Sequence, residues 1–516
     1  MPRAARKGKQ IPHVTAPVEA IPGEPGVLLL QMSGLSDRPA SGRLLQGLAP
    51  YLDSEGAQHV VLYAERQRTE PWSANSAPAP YRELIHWARG AGEGVYRGAT
   101  WKESGITREE ITAAFQTEST YVVDWAARRA GAAVVCNKEP LLLEPCVVDK
   151  PWGREVWYTG IEQRGRSFVR SETGRTELPY ALGMFPVSLI GEQERPPVLI
   201  KALEPLPEEV LGDLYLEVHR EKWEVYVVLD VSRTAWPDGV GRLRAGLSPD
   251  AIERYRGRSG AAWPESLSQD LLAGIRAYEA VRRDIDARFD QALQGRGLDP
   301  AQGVPAALHA ELSAALPTEL RAEERSLRAA VEDFLGTTPM PEGAVACLPP
   351  GTLHSLQHGV KVVEFQTPTY ERLIAMFAQK VLTQRHWNTE AAVQLMHKAA
   401  YSPPRPEPLE QGPGRSLERI VAFPEFEVQR LTLGPGAARP SGTAGGAQYQ
   451  LLIGVQGTGT MDVPGRGPTP IGKETVLLLP ATLGTFKVRA EGEGLTCLVT
   501  LPTEPREGRP GTRMEL

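Results

Sequence analysis

The sequence predicts a mainly β protein: two β domains, the first interrupted by a helical block, behind a small α/β unit. Three observations carry this reading. The 516 residues include 51 glycines and 45 prolines, nearly a fifth of the chain against the usual ~12%, and that excess demands many turns. Short β-branched runs broken by Gly and Pro fill residues 147–235, resume after Pro341 and recur from Leu417 to Pro505. Between them Leu267, Leu271, Ile275, Tyr278, Ile285, Phe289 and Leu293 recur at steps of three, four or seven, the apolar stripe of one long helix.

The elements follow in chain order. Residues 1–25 are basic and Pro-rich with no apolar h-region, so they read as a disordered leader and not as a signal peptide. Residues 26–146 read as the α/β unit. Gly26–Met32, His59–Ala64 and Ala132–Cys136 are its short buried strands. Thr107–Glu110 is a capping box ahead of Ile111, Phe115, Val122 and Trp125. Ser33–Gly42 is glycine-bearing but has neither GxGxxG nor GK[ST], so no phosphate loop is read there. Residues 147–240 with 340–385 form the first β domain, and 241–339 the helical insertion. Ser248 followed by Pro249 opens a helix. Leu320, Leu327, Val331, Phe334 and Leu335 mark a later one closed by Gly336. Residues 386–415 read as a linker, 416–505 as the last β domain and 506–516 as a tail.

Composition excludes some functions. A net charge of −6 argues against non-specific nucleic-acid binding, and no apolar run is long enough for a membrane span. Cys136, Cys146, Cys347 and Cys497 show no CxxC spacing and suit a reducing cytosol, so a cytoplasmic location is expected. No feature sets an oligomeric state.

The chemistry concentrates in two places. In Leu214–Glu224, apolar Leu214, Leu216 and Val218 alternate with Tyr215, Glu217 and His219. Residues i and i+2 of a strand share a face, so Glu217 and His219 point the same way. The turn Arg220–Trp223 returns the chain, and Glu224 opens the next strand. Farther on, Pro349-Pro350-Gly351 is a rigid turn that aims His354. Two imidazoles and two carboxylates suit one divalent metal, zinc first, with iron, manganese, cobalt or nickel as alternatives.

These segments resemble a family. Glu217-x-His219-x4-Glu224 resembles the first cupin motif, with Glu in place of the first His, and Gly343-x5-Pro349-x-Gly351-x2-His354 resembles the second. More narrowly, the chain resembles the type I mannose-6-phosphate isomerases over residues 147–505. The matching segments are Lys150–Gly153 (KPWG), Pro197–Lys201, Leu216–His219, Lys222-x-Glu224, Pro349–His354, Glu364–Leu373 and, near the end, Val455–Gly459 with Leu479–Ala481. The resemblance implies two cupin domains, that is, jelly-roll β-barrels, the second without metal because it has no histidine. It implies a metal held by Glu217, His219, Glu224 and His354, with Lys201, Lys222 and Arg372 as the catalytic and pocket residues. It implies a sugar-phosphate substrate, mannose 6-phosphate interconverted with fructose 6-phosphate through a cis-enediol.

The chain departs from that family at three points. Glu217 stands where Gln is usual. The turn between His219 and Glu224 is much shorter. Thr367-Pro368 replaces a Ser-Asp pair, and superposing the Thr-Tyr pairs puts Glu371 rather than Arg372 in the arginine's place. Another metal-cupin enzyme (a sugar isomerase or epimerase, or an oxygenase) and a non-catalytic sugar-phosphate-binding regulator therefore stay open. Plainer roles stand beside the chemical ones: a solvated strand end for Lys201, a hairpin lysine for Lys222, an ion pair for Arg372 or Glu364. His358, Trp152, Trp157 and the pair His386-Trp387 read as packing.

Overall fold

The computed structural model describes residues 6–7, 18–69, 77–90, 92–102, 105–302, 304–384, 386–440 and 448–503. The expected tail, 506–516, and most of the expected leader lie outside these residues. Within that leader, however, Val18–Pro22 is a strand paired with the strand Val27–Leu35. The chain is mainly β and divides into two compact units: Met1–Cys146 with Trp157–Val198 and Pro406–Leu516, and Val147–Val156 with Leu199–Arg405.

In the first unit a seven-stranded sheet follows chain order. Val27–Leu35 and His59–Arg68 run parallel, and the helices Ser41–Gly47 and Ala49–Ser54 make the crossover that parallel neighbours require. The remaining pairs are antiparallel. The capping box holds: Thr107 accepts from the Glu110 N–H and Glu110 accepts from the Thr107 N–H. The strands Ala79–Ala88 and Val95–Lys102 are among those that the sequence reading does not anticipate. Charged Arg82, Glu83, Arg97 and Lys102 break their apolar runs, and buried ion pairing carries part of that charge. The same unit holds an eleven-stranded sheet. Its Leu141–Glu144 strand joins the C-terminal strands by pairing with Val476–Leu479.

The second unit contains two open antiparallel sheets. One has six strands, with Glu224–Val231 between Val345–Leu348 and Val360–Gln366, followed by Leu199–Pro205. The other has five, in the order Leu335–Pro341, Val240–Leu247, His354–Leu356, Leu216–Val218, Leu373–Met376. Among the described residues no sheet closes into a barrel. Apolar side chains from both sheets share one core with the helices, including Val228, Val362, Val218, Leu243, Leu271 and Ile275.

The helical block leaves and re-enters through paired strands, since Val240–Leu247 and Leu335–Pro341 are neighbours. Its long helix, Trp263–Gly295, buries every residue of the predicted stripe. Ser248 caps Pro249–Ser259 by accepting from the Ala251 N–H. The later helix is Thr318–Glu332, which corrects the predicted end. Phe334 lies past it, Leu335 opens a strand, and Gly336 is a strand residue rather than a helix stop. A Cβ at Gly336 would meet the Ala245 carbonyl oxygen at 2.7 Å, so close backbone approach explains the glycine. In the expected linker the helix Thr389–Leu395 and the strand Glu407–Gly412 form. Among the described residues no helix is long and apolar enough to cross a membrane.

Candidate metal centre

The centre is assembled where the chain passes from the five-stranded sheet to the six-stranded sheet of the second unit. Leu216 and Val218 are buried on one face of their short strand, and Glu217 lies between them on the other. Glu217 stands directly across the ladder from His354, and cross-strand partners share a face. His219 follows two residues after Glu217. The turn Arg220–Trp223 then carries the chain to Glu224, first residue of a strand in the six-stranded sheet. The nitrogen or oxygen ligand atoms of Glu217, His219 and His354 lie within 4.8 Å of one another. Glu224 spans the two imidazoles, with Oε1 3.4 Å from His219 Nε2 and Oε2 3.2 Å from His354 Nε2.

The donor set can be tested on its own hydrogen bonds. His219 Nδ1 is 2.9 Å from the Glu371 carbonyl oxygen and His354 Nδ1 is 2.8 Å from that of Thr352. A carbonyl accepts only, so each Nδ1 carries the proton and donates it. In the neutral rings each Nε2 then presents a lone pair to the centre. Both Nε2 atoms are buried without a hydrogen-bond donor, as is Glu217 Oε2. Acceptors converge on acceptors, an arrangement that one divalent cation satisfies, and two nitrogens with two carboxylates fit a transition metal.

The local fields act in opposite directions on the two rings. Burial alone would raise the Glu224 carboxyl, but the Lys222 ammonium and then the imidazoles hold it well below its ordinary value. Burial and the Lys222 charge lower His219. His354 is opposed by burial, yet Glu224 pulls it upward.

The wall of the cleft is one face of the six-stranded sheet. Lys201, Glu364 and Tyr226 form a row across three strands, and Gln366 and Glu224 form the next row on that face. Lys201 Nζ pairs with Glu364 Oε2 at 2.8 Å, and Lys222 Nζ with Glu224 Oε1 at 2.5 Å. Burial works against the Lys201 charge, but Glu364 and Glu155 raise it above the ordinary lysine value. Arg372 lies at the rim, its guanidinium 4.6 Å from the Tyr215 ring centroid and donating to Thr383 Oγ1 at 2.8 Å. The hollow lined by Lys201, Glu217, Lys222, Glu224, Glu364 and Arg372 holds about 530 Å³ of space, part of it open to solvent.

Of the seven residues singled out in the sequence, Lys201, Glu217, Lys222, Glu224 and Arg372 line this cleft, and His219 and His354 are buried against Glu224. The residues that sequence reasoning missed are Glu155, Tyr226 and Gln366, which line it as well. Tyr226 and Gln366 lie two residues along from Glu224 and Glu364, so the strand period was the available signal. Trp152, read as packing, is both buried and part of the lining. His358 is bound to Asp213 Oδ1 at 2.8 Å and stacked on Trp236, away from the cleft.

No protein-family model matches the sequence, and no curated protein does. Among solved structures, the mannose 6-phosphate isomerase from Bacillus subtilis aligns at 16% identity over 70% of this chain and 99% of that chain, with a TM-score of 0.48. The apo form of the enzyme of that name from Salmonella typhimurium aligns at 12% identity over 71% of this chain and 99% of its own, with a TM-score of 0.47.

Proposed function

We propose that the chain is a metal-dependent aldose–ketose isomerase that interconverts mannose 6-phosphate and fructose 6-phosphate. The observation that carries this reading is the convergence of Glu217, His219, Glu224 and His354, two imidazole lone pairs facing carboxylates, on the floor of a cleft bearing Lys201, Lys222 and Arg372. The substrate class comes from the motif resemblance described above. Two cupin-type domains and a cytoplasmic location belong to the same reading.

Glu217, His219, Glu224 and His354 would hold the ion, zinc first. Bound there, a divalent cation supplies a Lewis acid that polarises substrate oxygens. Arg372 at the rim pairs with the phosphate, whose planar recognition suits a guanidinium. Lys201, kept cationic by Glu364, donates hydrogen bonds to sugar oxygens and supports the charge that develops on them. Lys222 is assigned the carbon proton. Only as the free amine, after giving up the proton it shares with Glu224, does its Nζ take the proton from C2; the electron pair left on carbon then forms the C1–C2 double bond of the cis-enediol as O1 gains a proton. O2 then loses its proton as the C2 carbonyl forms, and the electron pair of the C1–C2 double bond takes the proton back from the Lys222 ammonium at C1.

A coupled assay of mannose 6-phosphate conversion tests the proposal, with metal-stripped protein, zinc-restored protein and His219→Ala. Zinc-dependent turnover that is abolished in His219→Ala is the expected result. Folded protein that shows no turnover with any divalent metal would overturn the assignment. Iron content with oxygen consumption would move it to an oxygenase.

A further inference from the structure

The turn between His219 and Glu224 has only four residues, and its anchors come from elsewhere in the chain. Thr367 holds its far end: the Thr367 N–H donates to the Trp223 carbonyl at 3.0 Å, and the Trp223 N–H to Thr367 Oγ1 at 3.2 Å. Glu371 holds the near end. Its two carboxylate oxygens accept from the Arg220 N–H at 2.9 and 2.8 Å, and one accepts from the Glu221 N–H at 3.4 Å. Its carbonyl accepts the His219 Nδ1 proton. The His219 carbonyl in turn accepts from the Gly351 N–H at 2.8 Å, tying this turn to the one that aims His354.

We propose that Glu371 is a positioning residue for the metal centre. Its carboxylate clamps the start of the turn so that its carbonyl stays on His219 Nδ1 and Nε2 stays aimed at Glu217, Glu224 and His354. The inference rests on the metal-centre reading above and adds to it the residue that holds the short turn in place. Two convergent N–H donors, making three contacts, leave the Glu371 carboxylate committed to the main chain. The adjacent Arg372 is thereby left to face the cleft.

Substitution of the side chain tests the clamp while every main-chain carbonyl remains. Full-length protein, Glu371→Ala and Glu371→Gln are stripped with chelator and titrated with cobalt(II), read by visible d–d absorption and by competition with a chelator of known affinity. Cobalt binding by the wild type with bands of a nitrogen–oxygen site supports the metal reading, and its absence overturns that reading together with the clamp. Given wild-type binding, Glu371→Ala is expected to bind about 10–100-fold more weakly, the usual cost of removing an outer support of a ligand, with shifted bands. Glu371→Gln, which keeps an acceptor oxygen, is expected to lose less and to remain folded. A lower melting temperature with wild-type cobalt affinity and an unchanged spectrum in both variants would make Glu371 a structural cap only and overturn the inference.

Discussion

Arg372 is placed by two contacts, the Tyr215 ring beneath its guanidinium and the Thr383 hydroxyl beside it. Neither contact neutralises its charge, so the guanidinium can meet an anion at the rim. A hydrogen bond to a charged group contributes about 1.5–3 kcal/mol, which is about 10–100-fold in a rate or binding constant. Arg372→Ala should therefore lower kcat/KM for mannose 6-phosphate about 10–100-fold while bound metal per chain is unchanged. Steady-state kinetics with metal analysis checks both, and loss of metal in step with activity would contradict a rim role. At this scale the site was legible where chemistry follows local period. Glu217, His219 and Glu224 are close in sequence, and the strand period aligns the first two. The choice between Glu371 and Arg372 was not legible. Glu371 is defined by contacts with Arg220 and Glu221, some 150 positions away, and no local pattern encodes such a contact.

At the scale of elements, charge can be as structural as apolar packing. In the first unit Glu83 sits fully buried on the strand Ala79–Ala88. It pairs with Arg66 and Arg68 of the neighbouring strand and accepts from Ser41, the first residue of the crossover helix, at 2.5 Å. Burial would raise its carboxyl, but Arg68, Arg66 and Ser41 together hold it below the ordinary value of 4.5. A carboxyl with a depressed folded pKa binds its proton more weakly than the unfolded chain does. Its stabilisation is thus fully present well above pH 4.5 and fades as the pH falls from there through the depressed folded value. Glu83→Gln leaves two buried guanidinium groups without that charge, and breaking such a pair costs about 3–5 kcal/mol. Melting temperatures from pH 7 down to pH 3 should show the variant well below wild type at pH 7 and the gap narrowing in acid. Parallel curves would remove Glu83 as the cause. The same charges explain why this strand escaped the sequence reading, whereas the helix Trp263–Gly295, whose apolar stripe is uninterrupted, did not.

At the scale of the whole molecule, texture and connectivity part company. The change in composition near Val147 is visible in the sequence, and so is the helical block, because each is written in neighbouring residues. Strand exchange is not: Leu141–Glu144 and Val476–Leu479 are separated by most of the chain, and each reads alone as a short apolar run. Their pairing means that the first 146 residues supply an inner strand to the sheet that contains the C-terminal strands. Leu141 and Leu143 are buried in it, and Val476, Leu477 and Leu478 are fully so. A protein beginning at Val147 would expose the Val476–Leu479 edge and leave Phe168–Ser171, on the other side of the lost strand, paired only with Gly174–Glu177. A bare apolar edge is a template for pairing with another chain. Such a truncation should elute as aggregate in size-exclusion chromatography with light scattering, even though it retains every residue of the metal centre. A monodisperse truncated protein with native circular dichroism and cobalt affinity would instead show that the Leu141–Glu144 strand is dispensable and that the cleft is self-sufficient.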